Sequence, residues 1–190
     1  CYTNYMNYYV KPDEIDKAEL EENTMNFVEE HIFDAPLEVV ERMYFDTAFC
    51  PRKYEELGLE NIKVVGSSDD PEQYFVDCSF VMEPSLPLPG FIKKFLPGGE
   101  KISVRQIDRW NTKTRKGELE IQLQGLEKVH IRSEMTLKAH ERGAVNVMQW
   151  TVECKIPLIG NKLADFLGKD IRSKAANDHA ASLKILQDYL

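Results

Sequence analysis

Long apolar runs are what this chain most plainly lacks. No stretch approaches the ~20 consecutive apolar residues of a membrane-crossing helix, so a helical span is excluded and the chain is expected to be soluble. Basic clusters are missing too: 24 Lys and Arg stand against 32 Asp and Glu, for a net charge of −8. That balance argues against holding nucleic acid or anionic lipid by bulk electrostatics, while transient contact with a membrane surface stays compatible with it. Cysteine is sparse, at four residues with no CxxC pair and no His/Cys spacing suited to a metal. Neither a metal site, a cofactor nor a disulfide framework is expected. Cys78 and Cys154 fall inside strand patterns, where a thiol acts as a small hydrophobe, which points to reducing conditions and the cytoplasm. No nucleophile elbow, HExxH, P-loop or dinucleotide fingerprint occurs, and there are no internal repeats. No catalytic residue can therefore be named from a motif.

At 190 residues the chain suits one domain with an appendage. It opens at Cys1 rather than Met, for which a shortened chain is the plainer expectation and a lipidated, processed cysteine the alternative. Residues 1–24 differ from the rest. Tyr2, Tyr5, Tyr8 and Tyr9 crowd the start, and six acids against two lysines follow around Pro12. Acidic residues behind Pro12 predict a short exposed helix over 13–22. With only Ile15 and Leu20 to dock it, this segment reads as an acidic, Tyr-rich extension of a domain spanning 25–190.

Within that domain, Met25–Phe33 alternates as a strand, with Phe27, His31 and Phe33 on one face. Asp34-Ala35-Pro36 ends it and starts a helix at Leu37; a second short helix spans Pro51 to Leu57, stopped by Gly58. Six further strands are predicted at 62–65, 74–82, 101–110, 117–124, 129–139 and 145–156. In each, apolar residues alternate with a polar outer face such as Glu118, Glu120 and Gln122. Between strands, residues 84–99 carry four prolines and three glycines yet six large apolar residues. A two-turn helix fits between Pro89 and Pro97, with Phe91 and Ile92 inward and Lys93-Lys94 outward, as a lid or a rigid plug over one end of the sheet.

The last element is the longest. From Leu163 the residues Phe166, Leu167, Ile171, Ala175, His179, Leu183, Leu186 and Leu190 recur in steps of three and four, which predicts one amphipathic helix with Asn161 as N-cap and a weak point at Gly168. The order is a strand, two short helices, six strands and a long helix. This gives an α+β fold: a seven-stranded antiparallel sheet wrapped around a long C-terminal helix. Ala175, Ala176, Ala180 and Ala181 thin the middle of that helix, leaving either close approach or a hollow.

Phe33-Asp-Ala-Pro-Leu-Glu-Val-Val40, Leu88-Pro-Gly-Phe-Ile-Lys-Lys-Phe-Leu96, a single Trp110 and Ile156-Pro-Leu-Ile-Gly-Asn-Lys-Leu163 make the chain resemble the START-like superfamily, also called SRPBCC, over about Met25 to Leu190. Within it the chain is most similar to an uncharacterised family defined only as a domain of unknown function. The resemblance implies a helix-grip fold, a hydrophobic cavity, and binding or transport of a lipid or other hydrophobic small molecule. It brings no catalytic residues.

By alternation and helical phase, Tyr74, Val76, Phe80, Ile121, Met135, Met148, Trp150, Ile171 and Ala175 are expected to surround a hollow of at least ~300 Å³. Phe91 would close one end, and Gln106, Ser133 and His179 would face the ligand or bond a neighbour. His31 and His179 facing one hollow could also act as acid and base. Glu29 shares the parity of His31 and is expected to reach solvent through a strand irregularity. Trp110 and Trp150 read as wall and core. The alternatives are a cavity enzyme (cyclase, dehydratase or hydrolase) acting on a polyketide-like or aromatic substrate, and a protein-interaction module with a vestigial cavity. Oligomeric state is left open.

Overall fold

A computed structural model describes residues 23–94 and 101–190. The expected helix over 13–22 and the tyrosine cluster lie outside the described residues, as do Phe95 and Leu96. Seven strands form one antiparallel sheet: β1 Thr24–Phe33, β2 Glu60–Ser68, β3 Tyr74–Met82, β4 Ile102–Asn111, β5 Lys116–Leu123, β6 Val129–His140 and β7 Gly143–Cys154. Their order is β1-β7-β6-β5-β4-β3-β2, so the first strand pairs with the last and sequence neighbours fill the rest. Helices α1 Leu37–Tyr44 and α2 Phe49–Glu56 follow β1; α3 Gly90–Lys93 lies between β3 and β4; α4 Gly160–Leu186 ends in a 3₁₀ turn. This is the α+β helix-grip arrangement.

Alternation builds the inner face. Phe27, Phe33, Val76, Phe80, Val104, Ile131, Leu137, Trp150 and Val152 are buried there, while most residues of the opposite parity, such as Val28, Arg132 and Gln149, face water. α4 packs mainly on β1 and β7 and against α2. Its 27 residues make a rod about 40 Å long. Gly168 does not break it, for the helix is continuous across that residue. The missing side chain there admits Met25 of β1, whose sulfur lies where a Cβ would stand.

Several boundaries differ from the sequence reading. β2 runs from 60 to 68 rather than 62 to 65; as an edge strand exposed along most of its length and shifted in register twice, it shows no clean alternation. α2 begins at Phe49, with Pro51 inside its first turn, where a proline costs no hydrogen bond. Asn161 is not the N-cap of α4: Ile159 holds that place and no side chain caps the helix. α3 is a single turn within the described residues, with Ile92 buried, Phe91 half-buried and Lys93 and Lys94 exposed.

The inward line of α4 also departs from the apolar stripe. Leu183 and Leu190 are exposed, whereas Asp170 and Ser182 are buried. Leu163, Leu167, Asp170, Asp178, Ser182 and Ile185 follow the 3.6-residue period, so the face toward the sheet turns polar midway along. Asp170 has a structural task. Its Oδ1 accepts from the backbone N–H groups of Ser85 (2.7 Å) and Leu86 (3.0 Å), tying the proline-rich segment to α4.

Candidate functional site

The polar stretch of α4 meets a polar patch of the sheet. Cross-strand register sets His31 of β1 opposite Asn146 of β7, Met148 opposite Met135 of β6, and Tyr74 of β3 opposite Trp110 of β4. Tyr44 of α1, Phe49, Cys50 and Lys53 of α2 and Asp178 of α4 roof these residues. They enclose about 10 Å³, close to the least that one water requires.

Charge is concentrated under this roof. Lys53, only 7% exposed, points its Nζ at Asp178, 3.1 Å from Oδ1 and 3.3 Å from Oδ2. Burial alone would drive the ammonium toward neutrality, but Asp178 foremost among its neighbours outweighs that, and the Lys53 pKa is raised. The same carboxylate stands 3.9 Å from Nδ1 of His31. Burial lowers the His31 pKa to about 4; Asp178 opposes this, while His179 and Lys53 add to it, so the ring is neutral at pH 7. His179 stacks on His31 at 4.8 Å and donates from Nε2 to the Ile32 carbonyl at 2.9 Å, its tautomer fixed by that acceptor. Across the site, burial raises the Asp108 pKa against the pull of Lys53 and of Gln106, whose Nε2 donates to Asp108 Oδ2 at 3.2 Å. Tyr54 donates to the same oxygen at 3.4 Å.

Three polar atoms in this buried shell have no hydrogen-bond partner among the described residues: Nε2 of His31, the hydroxyl of Tyr74 and Oδ1 of Asn146. All three residues border the enclosed space. They are 5%, 2% and 1% exposed respectively, so bulk water does not serve them. Asn146 uses its Nδ2 to donate to the Tyr44 hydroxyl at 3.2 Å, which leaves its carbonyl oxygen free.

The sequence-predicted residues divide. Tyr74, Met135 and Met148 line the enclosed space. His179 stands behind His31, Gln106 holds Asp108, and Ser133 is buried and donates to the Glu134 carbonyl at 3.4 Å. Val76, Phe80 and Trp150 are packed in the core, Phe80 against Tyr54 and Trp150 stacked on Phe27. Phe91, Ile171 and Ala175 are half-buried. Ile121 borders a different feature, an open trough of about 850 Å³ along β4 to β6 that mixes Leu123 and Val129 with Glu120, Arg105 and Arg132. The expected hollow of at least ~300 Å³ is thus not formed by these nine residues. The Tyr44 ring contacts both Phe49 and Trp110, and all three line a space of only about 10 Å³. Glu29 is half-buried on a regularly paired strand, with Arg172 3.9 Å away, so it needs no irregularity to reach solvent.

Lys53, Asp178, Asp108 and Asn146 were not singled out from sequence. Asp108 shares the parity of Gln106 and Trp110, and Asn146 that of Met148 and Trp150, so alternation could have found both. Asp178 lies seven residues before Ile185, on its helical line.

A family model described as "Protein of unknown function (DUF2505)" matches residues 29–186. The chain belongs to the DUF2505 family. Comparison with curated protein sequences gives no match. Among solved structures, this DUF2505 chain is similar to the Zhui aromatase/cyclase from Streptomyces sp. R1128, at 10% identity and TM-score 0.62 over 86% of this chain and 95% of that one. It is also similar to Ara h 8.0201, at 13% and 0.59 over 87% and 99%. A Thalictrum flavum norcoclaurine synthase point mutant in complex with a transition-state analogue matches at 13% and 0.57 over 87% and 96%. These likenesses are to proteins of the same helix-grip fold as this DUF2505 chain.

Proposed function

We propose that the chain binds, and as a carrier transports, a hydrophobic small molecule or lipid whose polar end sits among His31, Tyr74 and Asn146. One observation carries this reading: three unpartnered polar atoms, each on a deeply buried residue, border one enclosed space. Native proteins pair nearly all such atoms, with water or ligand where protein groups are lacking. Phe49, Trp110, Leu119, Met135 and Met148 supply apolar wall beside them. Because the space measures only about 10 Å³, a ligand larger than water requires α2 and α4 to move off the sheet. The half-buried middle of α4, around Ala175 and His179, is where the helix is least engaged.

A second reading is a cavity enzyme. His31 is a neutral imidazole with an unpartnered nitrogen, and the Tyr74 hydroxyl and Lys53 border the same space, a set able to move a proton on a bound substrate. An aromatase/cyclase and a norcoclaurine synthase share the fold, which fits that reading equally. Native mass spectrometry of the purified protein tests the binding proposal. Retained small-molecule mass, lost on denaturation, is the expected result. A bare chain that also takes up no apolar probe would leave the vestigial-cavity module as the better description.

A further inference from the structure

The hydrogen-bonding sense of the unpartnered atoms defines the ligand more narrowly. We infer that the enclosed site takes the hydroxyl of an uncharged aromatic alcohol, a phenol in the simplest case. This rests on the binding reading above and specifies its ligand class. Asn146 Oδ1 can only accept. The neutral His31 ring carries one N–H, and its Nδ1 faces the Asp178 carboxylate at 3.9 Å, the charged partner that draws the proton to that side. Nε2 then offers a lone pair. Tyr74 can donate or accept. A ligand hydroxyl serves two of these three atoms at once, donating to one of the acceptors and accepting from Tyr74.

The surroundings select against the other groups that meet that shape. Asp108 and Asp178 border the space, and Lys53 is already taken by Asp178, so a carboxylate would face two acids and no free cation. An ammonium would lie beside the Lys53 ammonium, which borders the same space. The aromatic rings of Tyr44, Phe49 and Trp110 favour a flat ring as the body of the ligand.

Amide chemical-shift titration of the full chain with a matched series decides this: 2-naphthol, naphthalene, 2-methoxynaphthalene, 2-naphthoate and 2-naphthylmethylamine. We expect 2-naphthol to bind at least about tenfold tighter than the hydrocarbon and the methyl ether, since neither of those can donate a hydrogen bond and both buried acceptors then stay unpaired. Tyr74→Phe keeps the ring and removes one partner, so it should cut that preference about tenfold without weakening naphthalene. Equal binding of 2-naphthol, naphthalene and the ether would overturn the alcohol assignment while leaving the binding site standing. Tightest binding by the carboxylate or the amine would overturn it likewise. Failure of every compound to shift the amides around 31, 74 and 146 would overturn the assignment and the binding reading together.

Discussion

Replacing Tyr74 by Phe should make the ligand-free protein more stable. Tyr74 is 2% exposed, its ring packs edge-on against Phe45 at 6.1 Å, and its hydroxyl has no partner. Burial raises its pKa, so the group stays neutral, and its cost is that of an unpaired buried hydroxyl. That cost is about 1–3 kcal/mol, whereas the ring's apolar burial survives the substitution. One water in the adjacent space would recover part of it, which leaves a net gain of about 1 kcal/mol. For a domain of this size that corresponds to a rise in Tm of about 2–4 °C. Tyr44→Phe is the control with the opposite sign. Its hydroxyl accepts from Asn146, so its loss should cost about 1 kcal/mol. Calorimetry on protein stripped of small molecules, with urea melts to check that m is unchanged, measures both. A fall in Tm for Tyr74→Phe would mean that its hydroxyl is well bonded in solution, and the reasoning built on it would fail.

Acid should weaken the fold through His31. Its folded pKa of about 4 lies below the unfolded value of 6.5, so the unfolded chain binds the extra proton between these limits. Stability from this group is present above pH 6.5 and falls by roughly 3 kcal/mol as pH drops to 4. Chemical melts from pH 7 to 4 should show a steeper loss for the wild type than for His31→Leu, and parallel curves would contradict it. Lys53→Met should destabilise by about 3 kcal/mol, because Asp178 loses its partner. The double variant Lys53→Met/Asp178→Leu should recover much of that in urea melts, and additive losses would refute the pairing. Asp170→Ala should speed hydrogen exchange at the Ser85 and Leu86 amides at least tenfold without touching the centre of β3, and unchanged protection would show that the tie is redundant.

The fold was legible because its signals are periodic. Phe27, His31 and Phe33 are buried as their alternation requires, and Pro36 and Gly58 bound the pair of short helices. The site was legible only in part. His31 and Tyr74 stood on inward faces, as did Gln106 and Ser133, and alternation picked these out; Asp108 and Asn146 share those faces and were not named. Lys53 was less accessible still: α2 is polar in sequence, and a lysine on it is ordinarily solvated. Asp178, more than a hundred residues later, does most to make its burial tolerable, and a long-range charge pair leaves no local pattern. The stripe of α4 misled for a related reason. Leu183 and Leu190 extended an apolar pattern beyond the surface that the sheet covers, while Asp170 and Asp178 sit on the line that it does cover.

The nitrogen resonances of the His31 imidazole test the proposed site most directly. In ligand-free protein at pH 7, long-range proton–nitrogen correlation should show a neutral ring protonated at Nδ1, with Nε2 bearing a bare lone pair. Saturating 2-naphthol should shift Nε2 in the direction of an accepted hydrogen bond and give contacts from the naphthyl ring to Trp110 and Met148. An Nε2 resonance unmoved at saturation, or a ligand whose contacts fall only along the open trough of β4 to β6, would contradict binding at this site.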